Sequence, residues 1–301
     1  MFDSLPKKLI KPFLASLVLS TSVSHAVIIL DTTFDNSGFK EAEQLAFSPP
    51  FKPLMFLKGD KVDSYGSGTW IGNYQGHGYV LTAAHLFPKG ISAEDYSYEL
   101  RDGGKYTADK LILHPLWNEN LGQRTGYDFA IVRLTQEVSG AGQPPILYDG
   151  HQEKNKLLTF VGYGYRGKGT GGQDENIDTK NRPAAGQGII EFVKKADEDD
   201  QDDAGNYLGV WLPKEDGSIE NPFDSNGITK PKTSLTALLG SGDSGGSAWC
   251  QIGNTWVLVG INSNGTGNAA YGDSSWFARV SHVESWIKTI VPNARFENPA
   301  A

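Results

Sequence analysis

Apolar and polar positions alternate over short stretches along most of this chain. Leu54-Met55-Phe56-Leu57 opens the series. Gly66-Ser67-Gly68-Thr69-Trp70-Ile71-Gly72 follows, and after a turn at Gln75-Gly76 comes Gly78-Tyr79-Val80-Leu81. Short runs rich in β-branched and aromatic residues, bounded by glycine and polar residues, predict strands; the second and third predict a hairpin that delivers His85 at its end. Residues 111–117 lead into a polar loop and then into Asp128-Phe129-Ala130-Ile131-Val132-Arg133-Leu134. Further strands are predicted at Leu157-Leu158-Thr159-Phe160-Val161, at Trp256-Val257-Leu258-Val259-Gly260-Ile261 and at Trp276-Phe277-Ala278-Arg279-Val280. The period changes only near the end, where Val283, Trp286, Ile287 and Ile290 recur at helical spacing and Pro292 marks the stop. Scarce helical patterns and 36 glycines together predict an all-β architecture with many turns.

A length of 301 residues suits one large domain or two small ones. The formal net charge of −8, with no basic block beyond the amino-terminal lysines, argues against nucleic acid as a partner. Cys250 is the one cysteine, so no intramolecular disulfide is possible, and an oxidising compartment is still allowed. It reads as a small apolar residue on a strand in preference to a reactive thiol. Residues 1–26 have the layout of a secretory signal: Lys7, Lys8 and Lys11, an apolar stretch over 12–23, and small residues at Ser24-His25-Ala26, so that cleavage leaves Val27 first. The competing reading is a membrane anchor, for which the run is short and carries Ser and Thr. The expected location is secreted or periplasmic, with no stable membrane association after cleavage.

Several stretches invite a function that their chemistry does not support. Gly162-Tyr163-Gly164-Tyr165-Arg166-Gly167 matches GxGxxG formally, but no helix follows to point its N-terminus at a phosphate, and it reads as a Gly-rich surface loop. Residues 197–203 are acidic. Calcium is the functional reading, but the nearest loop pattern puts Ala204 at a ligand position and Trp211 where a bidentate glutamate belongs, which favours a solvated loop. Residues 196–232 are expected to form a polar insertion between strands. His114 has no acid or cysteine at metal spacing and reads as structural or surface. No metal and no cofactor are expected.

Three stretches carry chemistry together. Thr82-Ala83-Ala84-His85 closes one predicted strand, Asp128 opens another, and Gly242-Asp243-Ser244-Gly245-Gly246 offers a nucleophile among residues small enough to admit a carbonyl. In this order, His then Asp then Ser, they resemble the chymotrypsin/trypsin-like serine proteases. Leu86 stands where animal members usually have a cysteine, which points to a bacterial-type relative. The resemblance covers roughly residues 50–291 and implies two antiparallel six-stranded β-barrels with a short C-terminal helix packed on the second. The first barrel is expected over 54–142 and the second, with the helix, over 143–291. They join across Gly140, Gly142, Pro144 and Pro145, with an N-terminal segment at 27–53 and a tail at 292–301.

Carried over residue by residue, the resemblance makes His85 the general base and then acid, Asp128 its orienting partner and Ser244 the nucleophile. It makes the N–H groups of Gly242 and Ser244 the oxyanion hole, and Ser263 the serine that hydrogen-bonds the aspartate. It implies a specificity pocket with its base near Leu238 and Leu239 and its wall at Ser263-Asn264-Gly265. An apolar base disfavours Arg and Lys before the cut, unless Asp273 reaches the pocket from its loop. No Ile-Val-Gly-Gly-like stretch follows a basic residue, so the carboxylate of Asp243 pairs either with the amine of a freed Val27 or with an internal donor. The substrates implied are proteins or peptides, cleaved through an acyl-enzyme. The alternative is a non-catalytic binding protein on the same scaffold.

Overall fold

The computed structural model describes residues 27–177, 182–194 and 206–299. The predicted signal at 1–26 and the acidic run at 197–203 lie outside the described residues. No helix among them is long and apolar enough to cross a membrane.

The described chain begins inside the protein: Val27, Ile28 and Ile29 have no exposed surface. The strand β1 (Ile28–Ile29) is followed by two short helices, α1 (Asp31–Ser37) and α2 (Lys40–Ala46). The mixed pattern at 27–53 hides these elements, because seven residues make only two turns and no hydrophobic period can repeat within them.

The first barrel is built from β2 (Leu54–Gly59), β3 (Tyr65–Tyr74), β4 (His77–Thr82), β5 (Tyr96–Leu100), β6 (Lys105–Tyr106), β7 (Ala108–Leu113) and β8 (Ala130–Leu134). Among the described residues they form one antiparallel sheet, ordered β6-β5-β2-β3-β4-β8-β7, in which β6 is only two residues long. Gln75 and Gly76 both have positive φ, 51° and 81°, and close the β3–β4 hairpin with the primed turn that matches strand twist.

The second barrel contains β9 (Ile146–Tyr148), β10 (Leu157–Gly162), β11 (Arg166–Lys168), β12 (Gly172–Asp174), β13 (Ala184–Ile189), β14 (Phe192–Lys194), β15 (Tyr207–Trp211), β16 (Ala237–Leu238), β17 (Ser247–Ile252), β18 (Thr255–Gly265) and β19 (Ser274–Arg279). The helix α3 (Glu284–Ile290) and β20 (Arg295–Glu297) follow. The main sheet runs β13-β10-β17-β18-β19-β15-β14, and β9 lies parallel to β18 and β20. A smaller sheet, β12-β11-β1-β16, seats the amino-terminal strand between β11 and β16. The two curled antiparallel sheets make the trypsin-like double barrel.

Four local readings change. Tyr207–Trp211, inside the expected polar insertion, is a buried strand paired with β14 and β19; its apolar run is short and its flanks are polar, so composition masked it. The supposed surface loop at 162–167 is interior: Tyr163, Tyr165 and Arg166 are at most 4 % exposed, and Arg166 begins a strand. The segment read as a tail supplies β20. Finally, α3 sits where the barrels meet and not on the second alone: Ile287 shares a core with Ile131 of the first barrel and Leu258 of the second.

Candidate active site

The candidate catalytic residues stand in connections between strands, His85 and Asp128 in the first barrel and Ser244 in the second. His85 lies in a short 3₁₀ turn (Ala84–Leu86) just beyond β4. Asp128 precedes β8 and is fully buried. Ser244 lies in the loop between β16 and β17. The His85 ring joins the other two. Its Nδ1 is 2.7 Å from Asp128 Oδ2, and its Nε2 is 2.8 Å from Ser244 Oγ. Asp128 is held from two further directions, by the backbone N–H of His85 at 2.9 Å and by Ser263 Oγ at 2.6 Å. Ser263 is the extra residue of a β-bulge in β18, between Asn262 and Asn264, and the bulge turns its hydroxyl across to the first barrel. Burial pulls the His85 pKa down, while the charge and the hydrogen bond of Asp128 pull it up; the net direction is upward from the ordinary value.

The Ser244 loop is braced by a residue that sequence reasoning missed. Ser67 in β3 donates its N–H to the Ser244 carbonyl at 2.8 Å and its hydroxyl to the Gly242 carbonyl at 3.2 Å. Only its place in a Gly-Ser-Gly run hinted at close packing. Gly242 has φ +92°, and a Cβ there would lie 2.0 Å from the Tyr65 ring, so only glycine permits this turn. Among the described residues, the N–H groups of Gly242 and Ser244 donate to no protein acceptor, which leaves two donors free beside the Ser244 hydroxyl.

Asp243 points the other way, into the second barrel, and is fully buried. Its Oδ2 accepts from Gly240 N–H at 2.8 Å and from Val27 N–H at 3.2 Å, and its Oδ1 from Gly164 N–H at 2.9 Å. Burial raises its pKa to about 6, against the pull of these donors and of nearby Arg166. The GxGxxG stretch has its explanation here. A Cβ on Gly162 would strike Asp243 Oδ1 at 2.4 Å, and Gly164 supplies an amide, so the glycines cradle an internal carboxylate and no dinucleotide. Val27 has φ +57°, unusual for a β-branched residue.

A pocket of about 220 Å³ opens beside His85 and Ser244. Leu239, Asn264 and Gly265 line it; Leu238 does not, because it is buried in β16 against Ile28. Alternation along the strand sends neighbouring side chains to opposite faces, so only one of the two leucines can face the pocket. Asp273 does not line it either: its carboxylate accepts from Ala270 N–H at 2.9 Å and Thr266 Oγ1 at 3.5 Å within its own loop. Asn262, Gln123 and Gln173 join the lining, and nothing in the sequence marked them. Among the described residues, no Asp, Glu, Lys or Arg lines it.

His114 and Cys250 are packing residues. His114 stacks on Tyr127 with centroids 4.8 Å apart, meets Trp286 edge-on, and is pushed down to about 4 by burial. Cys250 is fully buried in β17, and burial raises its pKa. Among the described residues no group of three or more potential ligands is placed to hold a metal ion.

Two β-barrels with a Ser, a His and a buried Asp hydrogen-bonded in series across their junction define the class of trypsin-like peptidases. The family model described as a trypsin-like peptidase domain matches residues 66–261, more than half of the chain, and the chain belongs to that family. The match carries a serine-protease-type hydrolase function, with peptides or proteins as substrates.

Proposed function

We propose that this protein is a secreted or periplasmic serine endopeptidase that cleaves through an acyl-enzyme. The observation that carries the reading is the unbroken series Ser263–Asp128–His85–Ser244, with every link between 2.6 and 2.8 Å. His85 Nε2 takes the proton of Ser244 Oγ as the oxygen attacks the substrate carbonyl. Asp128 holds the ring in the tautomer that can accept that proton and stabilises the imidazolium. The N–H groups of Gly242 and Ser244 receive the developing oxyanion. His85 then gives the proton to the leaving amine, and water repeats the sequence to free the acid.

The 3.2 Å approach of Val27 N to Asp243 supports a second part of the reading. Cleavage after Ala26 turns that amide into an ammonium beside a buried carboxylate and removes the strained torsion at Val27. The signal step then completes the active form without a separate activation cut.

A fluorophosphonate probe tests both parts. The chain that begins at Val27 is expected to label, and Ser244→Ala to abolish labelling and reduce peptide hydrolysis by at least about 10⁴-fold. A folded wild-type protein that does not label is the outcome expected of a binding protein on this scaffold. Equal labelling rates for the 1–301 chain and the Val27 chain would remove the role given to the Val27 amine.

A further inference from the structure

The two N–H groups left free beside the Ser244 hydroxyl, those of Gly242 and Ser244, each belong to a peptide plane. No peptide bond among the described residues is cis, so each N–H points opposite to the carbonyl of the residue before it. Their direction is therefore set by whatever holds the carbonyls of Ser241 and Asp243. The Ser241 carbonyl accepts from the backbone N–H of Tyr165 at 2.7 Å. The Asp243 carbonyl accepts from Gly246 N–H at 2.9 Å, within the loop, and from one side chain outside it, Asn262 Nδ2, at 3.0 Å.

Asn262 is fully buried in β18 and grips the loop on both sides of the nucleophile. Its N–H donates to the Gly246 carbonyl and its carbonyl accepts from Gly245 N–H, both at 2.9 Å. Its Nδ2 donates to Asp243 and also to the Val161 carbonyl of β10 at 3.0 Å. Both carbonyls can only accept, so the NH₂ half of the amide must face them. A Cβ on Gly246 would lie 2.2 Å from the Val161 carbonyl oxygen and 2.6 Å from Asn262 Nδ2, so glycine alone lets the chain pass this close. The other half of the amide, Oδ1, has no hydrogen-bond partner among the described residues. An apolar side chain of similar shape would fill the space without that cost, so what the amide adds here is its donor.

We propose that Asn262 is a positioning residue of the oxyanion hole: by holding the Asp243 carbonyl, it aims and strengthens the Ser244 N–H. The inference deepens the endopeptidase reading and rests on it. Two effects act in the same sense. Without Nδ2, only Gly246 N–H holds the plane of the Asp243–Ser244 peptide, and a rotation of that plane carries the donor away from the oxygen of the attacked carbonyl. A hydrogen bond accepted by a peptide carbonyl also polarises the same peptide, which makes its N–H a better donor. Both effects grow with the charge on the substrate oxygen, so they stabilise the transition state more than the bound substrate. Two neighbours in β18 thus serve opposite ends of the site: Ser263 steadies the aspartate behind the base, and Asn262 steadies the donor that meets the developing charge.

The test compares two small esters on the Val27 chain, p-nitrophenyl acetate and p-nitrophenyl thionoacetate, with fluorophosphonate labelling run in parallel. The second ester has sulfur in place of the carbonyl oxygen, and sulfur accepts hydrogen bonds poorly, so the ratio of the two acylation rates reads the oxyanion donors. Asn262→Leu keeps the bulk and removes the NH₂. It should slow acylation by the acetate about tenfold, less than the loss of a whole oxyanion donor, and lower the acetate-to-thionoacetate ratio by a similar factor. The midpoint of the pH profile, which reports His85, should not move. If that variant does not fold, the same ratio in Asn262→Ala decides. A variant in which both esters slow equally, or neither slows, overturns the proposal and leaves the endopeptidase reading intact. A wild-type chain that neither labels nor is acylated overturns both.

Discussion

The two barrels are held together by different physics. The first is an apolar barrel: its strands pair mostly with near neighbours in sequence, and among its described residues the buried ionisable side chains besides tyrosines are Asp128, which serves the site, and His114, which burial keeps neutral. The second buries Glu153, Arg166, Glu191, Asp243 and Arg279. Arg279 and Glu153 form a bidentate pair at 2.9 and 2.6 Å with no exposed surface on either side chain. Arg166 pairs with Glu43 of α2, and Glu191 ties Trp211, Asn221 and Ile228 into one cluster. Each buried charge needs a dedicated partner, and several of those partners come from distant segments. The first barrel thus acts as a self-contained support for His85 and Asp128. The second, which carries Ser244 and most of the pocket, depends on contacts that bind the amino-terminal segment into it.

The largest expected effect tests that contrast directly. Glu153→Gln leaves the Arg279 guanidinium buried beside a neutral group and should lower unfolding stability by about 3–5 kcal/mol in denaturant titration. The half-exposed Arg133–Asp109 pair of the first barrel has similar geometry, at 2.8 and 3.1 Å, yet Asp109→Asn should cost less than about 1 kcal/mol because water screens it. Similar losses for the two variants would erase the distinction between the barrels.

Across the junction the effect is catalytic. Ser263 of the second barrel donates to Asp128 of the first, and a hydrogen bond to a charged group contributes about 1.5–3 kcal/mol. Ser263→Ala should therefore reduce kcat/KM by roughly 10- to 100-fold with little change in melting temperature. An unchanged rate would mean that Asp128 is oriented from within its own barrel.

The smallest effect is a pair of opposed pH dependences. His85 must be neutral to accept a proton, and its pKa is raised, so activity should fall as pH drops through a value above about 6.5. Asp243 behaves in the opposite sense. Its folded-state pKa of about 6 lies above the ordinary 3.8, so the folded chain keeps that proton longer than the unfolded one. In the 1–301 chain, stability should therefore decline as pH rises from about 4 to 6. In the Val27 chain the ammonium favours the carboxylate and should flatten that decline, which urea titrations of the two forms across this range would register.

Legibility followed the same division. The β3–β4 hairpin, the strand after Asp128 and the order His85, Asp128, Ser244 were readable because each depends on a short stretch of chain. The pairing of Ile28 with Leu238 was not, since it joins residues 210 positions apart and both strands are two residues long. Leu238 and Leu239 were equivalent in the sequence until that pairing sent one to the core and left the other at the pocket. The glycines at 162 and 164 were visible, but their purpose depended on Asp243 arriving from 79 residues beyond Gly164.

The sequence by itself determined the class of the protein and its candidate nucleophile, base and acid, because strand periodicity and short motifs are local properties of the chain. The tertiary structure alone decided what surrounds them: Ser67 behind the nucleophile, Val27 against Asp243, and Asn262 and Gln173 in the pocket. Those contacts arise when strands from distant parts of the chain close into barrels, and the side chains that meet there share no spacing that a linear pattern could reveal.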